Sequence, residues 1–529
     1  MRTTDSVGSR QPSLFRSSFL EGALSALAVS ALMVAARFLF AYPTWFDLSE
    51  NWITRLIPAN VFAFFLDRLL YSAKPLLFAG VLVGQVLLGG LGGLVFQRLR
   101  RSSTQPGPTT TDGAIFGVVV WAIQVLAILP LIGQGIFGRG YSGSAVLLNL
   151  YLLLTSLGYA EILALLGTAP HAPVVRSRRQ FLGGLAAGAS SLAVLAIADR
   201  LWVSPSTALP DAENFSLGPT LTSVPVAVPT DPGWDIPGLS PEITPIGKFY
   251  QVTKNLFADP DLAATDWSLT INGRVRSPVH LSFAELTRLP AVEFYQTLEC
   301  ISNPVGGDLM STAWWRGVPV KDLLAMAGAN PQASKVVFRA ADGYADSIPL
   351  AHALLPSTTL VYEMDGQPLP KAHGFPVRLI TPGVYGLKNV KWLTGIEVID
   401  GDFEGYWQQR GWSDTAIVQT TSRVDVPVAS ATVAAGRIVI AGIAFAGNRE
   451  IKGVQVSLDA GGTWEDATLK PALGPLTWRF WRYEASLKSG SHSVAVRAID
   501  GEGQVQWPLP QDTVPDGATG YDVEVFTAR

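Results

Sequence analysis

The chain has 529 residues, with 39 Lys and Arg against 42 Asp and Glu, a formal net charge of -3 and no long basic run. That balance argues against nucleic acid as a partner. A mean hydropathy of +0.28 with 15% charged residues is too apolar for a wholly soluble protein of two or three domains, so part of the chain is expected in lipid.

Five N-terminal stretches, residues 19–41, 75–97, 113–137, 144–167 and 181–201, approach the ~20 apolar residues that cross a bilayer. Arg2, Arg10 and Arg16 precede the first, Arg98, Arg100 and Arg101 follow the second, and Arg176, Arg178 and Arg179 precede the fifth. Cytoplasmic flanks retain positive charge. The N-terminus is therefore expected inside the cytoplasmic membrane, and everything after about residue 202 outside, in the periplasm or cell exterior. Residues 60–71 read as an interfacial helix or a further part of the anchor. The run Ser177-Arg178-Arg179-Gln180-Phe181-Leu182 ahead of small apolar residues resembles a twin-arginine translocation signal placed inside the chain. An ordinary positive stop is the other reading. The five histidines, His171, His280, His352, His373 and His492, all lie beyond the fourth stretch, which excludes a bis-histidine haem within the bundle. Glu21 and Arg37 lie near span ends and Glu161 deeper, where charge is costly unless paired.

Residues 203–245 contain nine prolines, from Pro205 to Pro245, and read as an extended tether that can lie over a domain surface. Residues 246–424 change to short mixed elements: a strand over 267–273, a capped helix over 282–289, and helices over 318–327 and 350–355. That texture is an α+β domain. From 425 to 529 the runs 437–447, 454–459 and 492–500 alternate with period two, and Ala460-Gly461-Gly462-Thr463 is a hairpin turn, which predicts an immunoglobulin-like β-sandwich. The fold class is thus multi-domain: a transmembrane helical bundle, an α+β domain and a sandwich.

Cys300 is the only cysteine, in Gln-Thr-Leu-Glu-Cys-Ile-Ser-Asn-Pro-Val-Gly-Gly over residues 296–307. It is a buried small hydrophobe, a nucleophile or a metal ligand. Downstream, His373, Arg378, Lys388 and Lys391 are spaced along glycine- and proline-rich loops, which suit an anion because backbone N–H groups can approach it closely. Solvated surface charges are the plainer alternative.

At these residues the sequence resembles the sulfite oxidase family of molybdenum enzymes, over roughly 248–510. The likeness runs through 367–378, Val390-Lys391-Trp392, the sandwich run 454–464 and Trp478 to Trp481. It implies a molybdenum–molybdopterin cofactor with Cys300 as the protein thiolate on the metal, a soft donor for a soft site. It implies that His373 and Arg378, with Lys391 and the backbone from Gly386 to Lys388, hold the pterin phosphate, and that Asn255 and Asp342 hold the pterin. The sandwich would be a dimerisation domain, giving a homodimer. The activity implied is oxygen-atom transfer to or from a small substrate. Sulfite oxidases carry arginines where this chain has Lys254 and Val305, and a tyrosine where it has Trp412, so Lys254 and Trp412 are the substrate-facing candidates. Losing planar cations disfavours doubly charged sulfite; sulfoxides and N-oxides are equally open. No haem domain and no iron–sulfur cysteine set accompany the likeness, so a separate electron carrier, a cytochrome or quinone-linked protein, is expected. The competing reading is a catalytically silent scaffold of this fold that binds a partner.

Overall fold

The apolar N-terminal stretches fold as long helices; Pro75 sits in the first turn of its helix, where a missing N–H is harmless, and the third passes through a π-helical stretch at Gln124–Ile128 just ahead of Pro130. The computed structural model describes residues 11–40, 42–57, 73–100, 110–139, 141, 144–167, 231–255 and 259–529. Four helical segments are long and apolar enough to cross a membrane: Ser17–Phe40, Pro75–Arg100, Thr111–Leu131 and Ala145–Leu166. The third stops short of the expected residue 137, because Gly133 and Gly135 adopt left-handed backbone at φ +82° and +70° and break the helix. The expected fifth span (181–201), the twin-arginine-like run (177–182), residues 60–71 and the tether over 203–230 lie outside the described residues.

Two units make up the chain, one holding these helices and one the residues from 231 on. In the first, Gly22, Gly89 and Gly93 let two helices meet backbone to backbone: a Cβ at Gly22 would collide with the Gly89 carbonyl. Small residues are the usual means of such close approach in lipid. Arg37 Nε pairs with Asp47 at 3.3 Å, and Gln97 Nε2 donates to Glu21 at 3.5 Å, so both charges have partners. Glu161 lies against the backbone at Gly113.

In the second unit, one sheet orders β2 (Val279–Ser282), β1 (Ser268–Gly273), β10 (Leu393–Ile399), β5 (Lys335–Ala340) and β6 (Ala345–Pro349). Only the β1–β10 pair in it is parallel. A second orders β3 (Val292–Glu299), β4 (Met310–Pro319), β7 (Thr359–Met364) and β8 (Gln367–Pro368), with β9 (Arg378–Ile380) also on β7. The 282–289 expectation appears as the helix Phe283–Leu286, started by a Ser282/Glu285 capping box. The next is Val320–Ala327, ended by Gly328 at φ +65°. Leu269, Ile271, Leu323, Val336, Phe338 and Ile396 are among the buried residues that pack the helices onto the first sheet. In β3 and β4 the hairpin register ends at Glu299 opposite Met310, which puts Cys300 at the first position of the connecting loop.

The sandwich packs a four-stranded sheet, β11 (Thr421–Val426), β13 (Gly436–Phe445), β17 (Arg479–Leu487) and β16 (Thr468–Leu469), on a five-stranded one. The latter orders β12 (Thr432–Val433), β19 (Asp522–Ala528), β18 (Gly490–Asp500), β14 (Ile451–Ser457) and β15 (Glu465–Asp466). Alternate residues such as Ile440, Val454, Trp481, Val494 and Phe526 fill the space between. Since β11 begins at Thr421, the sandwich starts a few residues before the expected boundary at 425. It also braces β3: Thr297 N donates to Leu476 O at 3.0 Å, and Trp478 N to Thr297 Oγ1 at 2.8 Å. The described end of the proline-rich segment is likewise docked. Thr244 N bonds Thr312 O at 2.8 Å, and Ser240 N bonds Asp425 Oδ2 at 3.0 Å.

Candidate functional site

The hairpin loop after β3 holds Cys300 by its backbone: its N–H donates to Leu309 O at 2.9 Å, and its carbonyl accepts from Asn303 N at 3.0 Å. The thiol is buried, with Ser302 Oγ at 3.0 Å from Sγ. Burial pushes its pKa up, the Ser302 hydrogen bonds oppose this and the neighbouring Glu299 adds to it. Left alone, this cysteine is a neutral thiol. A metal that binds it must displace the proton.

Glu299 itself is buried, and its pKa is raised to about 8 by burial against the pull of Asn303 and Arg423. Burial pushes the Tyr250 hydroxyl's pKa up, Cys300 adds to this and Arg378 opposes it. A Cβ at Gly386 would lie 2.5 Å from the Tyr250 hydroxyl and 3.3 Å from Glu299 O. Only glycine lets the Gly386–Lys388 turn come this close to the cysteine strand.

β9 delivers Arg378 into the interior. Its guanidinium donates to His373 O at 3.1 Å and Asn389 O at 3.3 Å, and its carbon lies 5.5 Å from the Trp315 ring centroid. Nε is buried with no hydrogen-bond partner, and no carboxylate pairs with this cation among the described residues. Burial lowers the Arg378 pKa to about 10, so it stays charged. His373, 2% exposed, is lowered to about 4 by burial and then by Arg378; it is a neutral imidazole near pH 7. Lys391 Nζ donates to Ala372 O at 3.0 Å over the Trp392 face. These three meet at Gly374, φ +108°, where a Cβ would sit 3.0 Å from Lys391 Cβ and 3.1 Å from Arg378 Cβ.

A third group joins the same turn. Lys254 Nζ donates to Asp342 O at 2.9 Å and lies 3.8 Å from the Asp342 carboxylate and 5.7 Å from the Tyr406 ring centroid. Asn255 Nδ2 donates to Asp259 at 3.2 Å. Tyr344 connects them to the turn, its N–H bonded to Asp342 Oδ1 at 2.9 Å and its hydroxyl to Leu387 O at 2.8 Å. Trp412 is buried in a cluster with Ile301, Met310, Tyr385 and Leu387, its Nε1 without a partner.

The structure therefore gathers Lys254, Asp342, Trp412 and the end of the Cys300 strand about the Gly386–Lys388 turn, and Arg378, His373 and Lys391 about Gly374, with Arg378 reaching Asn389 O just past the first turn. Lys388 is the exception in kind. Its ammonium is spent on Asp346 Oδ1 at 2.7 Å, Ser347 O at 2.9 Å and Asp414 Oδ1 at 3.1 Å, which uses all three protons and leaves none for a phosphate. The cofactor-binding expectation at Lys388 is thus not carried by its side chain. Sequence reasoning missed Tyr250, Glu299, Asp346 and Asp414.

These residues fit a phosphorylated pterin with a metal on sulfur. A buried guanidinium with an N–H that has no protein partner suits an anionic ligand, and only glycine at this left-handed position avoids crowding Lys391 and Arg378. Gly374→Val would place a β-branched side chain at positive φ against two cations. We expect about 1–3 kcal/mol of strain and a fall in molybdenum per chain, measured by metal analysis beside a thermal melt.

Residues 257–407 match the oxidoreductase molybdopterin binding domain, and residues 407–514 the Mo-co oxidoreductase dimerisation domain. The mitochondrial sulfite oxidase of Homo sapiens is 33% identical over 314 residues, covering 50% of this chain and 57% of that protein. The sulfite oxidase of Gallus gallus is 32% identical over 313 residues, covering 50% and 68%. Among solved structures, the sulfane dehydrogenase SoxCD from Paracoccus pantotrophus aligns with a TM-score of 0.48 at 23% identity, covering 54% of this chain and 83% of that one. The chain spans little more than half the length of the mammalian relatives it matches. Two adjoining domain matches fall on the strands and loops that build the site, and together with these relatives they make the chain a member of the sulfite oxidase family of molybdopterin-dependent oxidoreductases.

Proposed function

We propose that the chain is a membrane-anchored molybdopterin-dependent oxidoreductase that transfers an oxygen atom to or from a small substrate outside the cytoplasm. The observation that carries this reading is Arg378, a buried cation with an idle donor, whose charge reaches the same Tyr250 hydroxyl as Cys300 does. Arg378, His373 and Lys391 would hold the phosphate, the first by charge, while neutral His373 keeps its Nε2–H on Ile246 O at 3.4 Å and lines the site. Asn255 and Asp342 would fix the pterin, and Cys300 would bind the molybdenum. When bound, that group supplies two-electron oxygen-atom transfer. The chain's own part is to orient the substrate, exclude water and set local charge.

Charge in the pocket favours neutral or singly charged substrates of the sulfoxide or N-oxide class over sulfite. Lys254 is engaged by Asp342. Val305 offers no donor, and the Asp522 carboxylate abuts the adjoining Gly306. Burial raises the Asp522 pKa, and the Val424 N–H opposes it. Trp412, with its buried idle indole N–H, would form a wall and a donor for substrate oxygen. The four apolar helices support anchoring; a cytoplasmic N-terminus with a periplasmic catalytic unit also needs the expected fifth span at 181–201, because an even number of crossings would return the chain to the cytoplasmic side. The dimerisation-domain match supports a homodimer through an immunoglobulin-like sandwich. A separate cytochrome or quinone-linked protein would exchange the electrons.

Metal and pterin analysis of the full chain tests the cofactor: about one molybdenum per chain supports the reading, and none overturns it. Val305→Arg tests the pocket. A charge-assisted bond contributes about 1.5–3 kcal/mol, so KM for sulfite should fall about tenfold or more, with dye-linked turnover as the assay. An unchanged KM would remove Val305 from the pocket.

A further inference from the structure

The loop over residues 402–416 carries Tyr406, Trp407 and Trp412, yet its only regular piece is the 3-10 turn Gln408–Arg410. Beside backbone bonds such as Ser413 N to Pro515 O at 3.0 Å and Tyr385 N to Ala416 O at 2.8 Å, side chains hold it in place. They converge on Asp346, which is 1% exposed like its partner Lys388. Asp346 Oδ2 accepts from Gln408 Nε2 at 3.3 Å, and the same amide donates to Ser413 O at 3.2 Å. Tyr406 N bonds Ala345 O at 3.1 Å, and a Cβ on Gly405 would lie 2.9 Å from Asp346 Cγ. Lys388 reaches from the cofactor-side turn to both Asp346 and Asp414. Asp414, two residues past Trp412, is only partly exposed at 45% and is also held by Lys335 at 2.6 Å.

A buried ion pair is poor evidence for stability, because desolvation offsets much of the attraction. What it does supply is fixed geometry, since Lys388 is satisfied only when strand β6, the Gly386–Lys388 turn and the loop are all in register. We propose that Lys388, Asp346 and Asp414 form a positioning cluster that sets the Trp412 loop against the cofactor-side turn, acting on substrate fit rather than on the cofactor phosphate. The inference rests on the molybdopterin reading above and assigns these residues no contact with substrate.

Lys388→Met would strand a buried carboxylate and can prevent folding, so the test uses Asp414→Asn, with Asp414→Glu as the conservative variant. Sulfite with ferricyanide and dimethyl sulfoxide with reduced methyl viologen are assayed in parallel on the full chain, with molybdenum content and amide hydrogen exchange. Misplacing a positioning group can cost up to about a hundredfold; for this partly exposed member we expect KM about tenfold higher, kcat within about threefold, and molybdenum per chain unchanged. Exchange should quicken over 402–416 and stay unchanged over 371–391, and Asp414→Glu should restore both. Trp412→Phe added to Asp414→Asn should cost less than the two single effects combined. Loss of molybdenum in Asp414→Asn, or unaltered KM and exchange, overturns the positioning role. A wild-type chain without molybdenum overturns the cofactor reading instead, and the exchange pattern still decides whether the cluster holds the loop.

Discussion

Cys300→Ser is expected to abolish dye-linked turnover while the fold survives. Serine is nearly isosteric, and the loop is held by the Cys300 backbone bonds to Leu309 and Asn303, which the substitution keeps. What changes is the donor: a soft sulfur anion becomes a hard hydroxyl that stays protonated. Loss of an outer-shell partner alone typically costs ~10–100-fold in metal affinity or activity, so direct loss of the metal's sulfur should exceed about a hundredfold. Turnover and metal content are measured together with a thermal melt. Retained turnover would remove Cys300 from the mechanism.

Arg378→Met separates two roles that an activity assay alone would confuse. In the absence of an anion the wild-type guanidinium is a buried charge without a counter-ion, carrying a desolvation penalty of several kcal/mol. Methionine removes that penalty but leaves His373 O and Asn389 O without their donor, which costs about 1–3 kcal/mol. The cofactor-free variant should therefore melt no lower than the cofactor-free wild type. A ligand at a thousand times its Kd stabilises by about 4 kcal/mol, and this cofactor-linked gain should shrink toward zero. His373 reports on the same change. Burial and then Arg378 hold its pKa at about 4; with the cation gone it should rise, yet stay below the ordinary histidine value because burial, the larger cause, remains, and a histidine titration reads the change. A variant that keeps full molybdenum content and an unshifted His373 would place the anion elsewhere.

The sequence made much of this site legible because its chemistry is concentrated in short runs. Cys300 lies between a strand and a glycine turn, and His373, Gly374 and Arg378 are close enough in sequence to be read as one loop. The apolar helices were equally plain, because twenty unbroken apolar residues have few other fates. The third was over-extended by Gly133 and Gly135, whose left-handed backbone is a property of conformation rather than hydropathy. Tyr250, Asp346 and Asp414 were invisible for a different reason. Asp346 meets Lys388 across 42 residues of chain, and no periodicity marks such a pair. The Lys388 side chain was opaque on the same ground, since a lysine in a glycine-rich loop reads as an anion ligand until its carboxylate partners are located, while the expectation for the Gly386–Lys388 backbone is untouched by those partners.

The hydrogen bonds from β3 to residues 476 and 478 bear on how the two modules evolve. An outer strand without such cover exposes a row of unsatisfied amides that invites pairing with other chains. Here that row leads straight to the sole thiol, so shortening the polypeptide after the pterin-type module would leave an adhesive margin beside the Cys300 loop. The C-terminal module is in this sense a wall of the catalytic room, and recombination that exchanged one without the other would be selected against even where self-association brings no advantage.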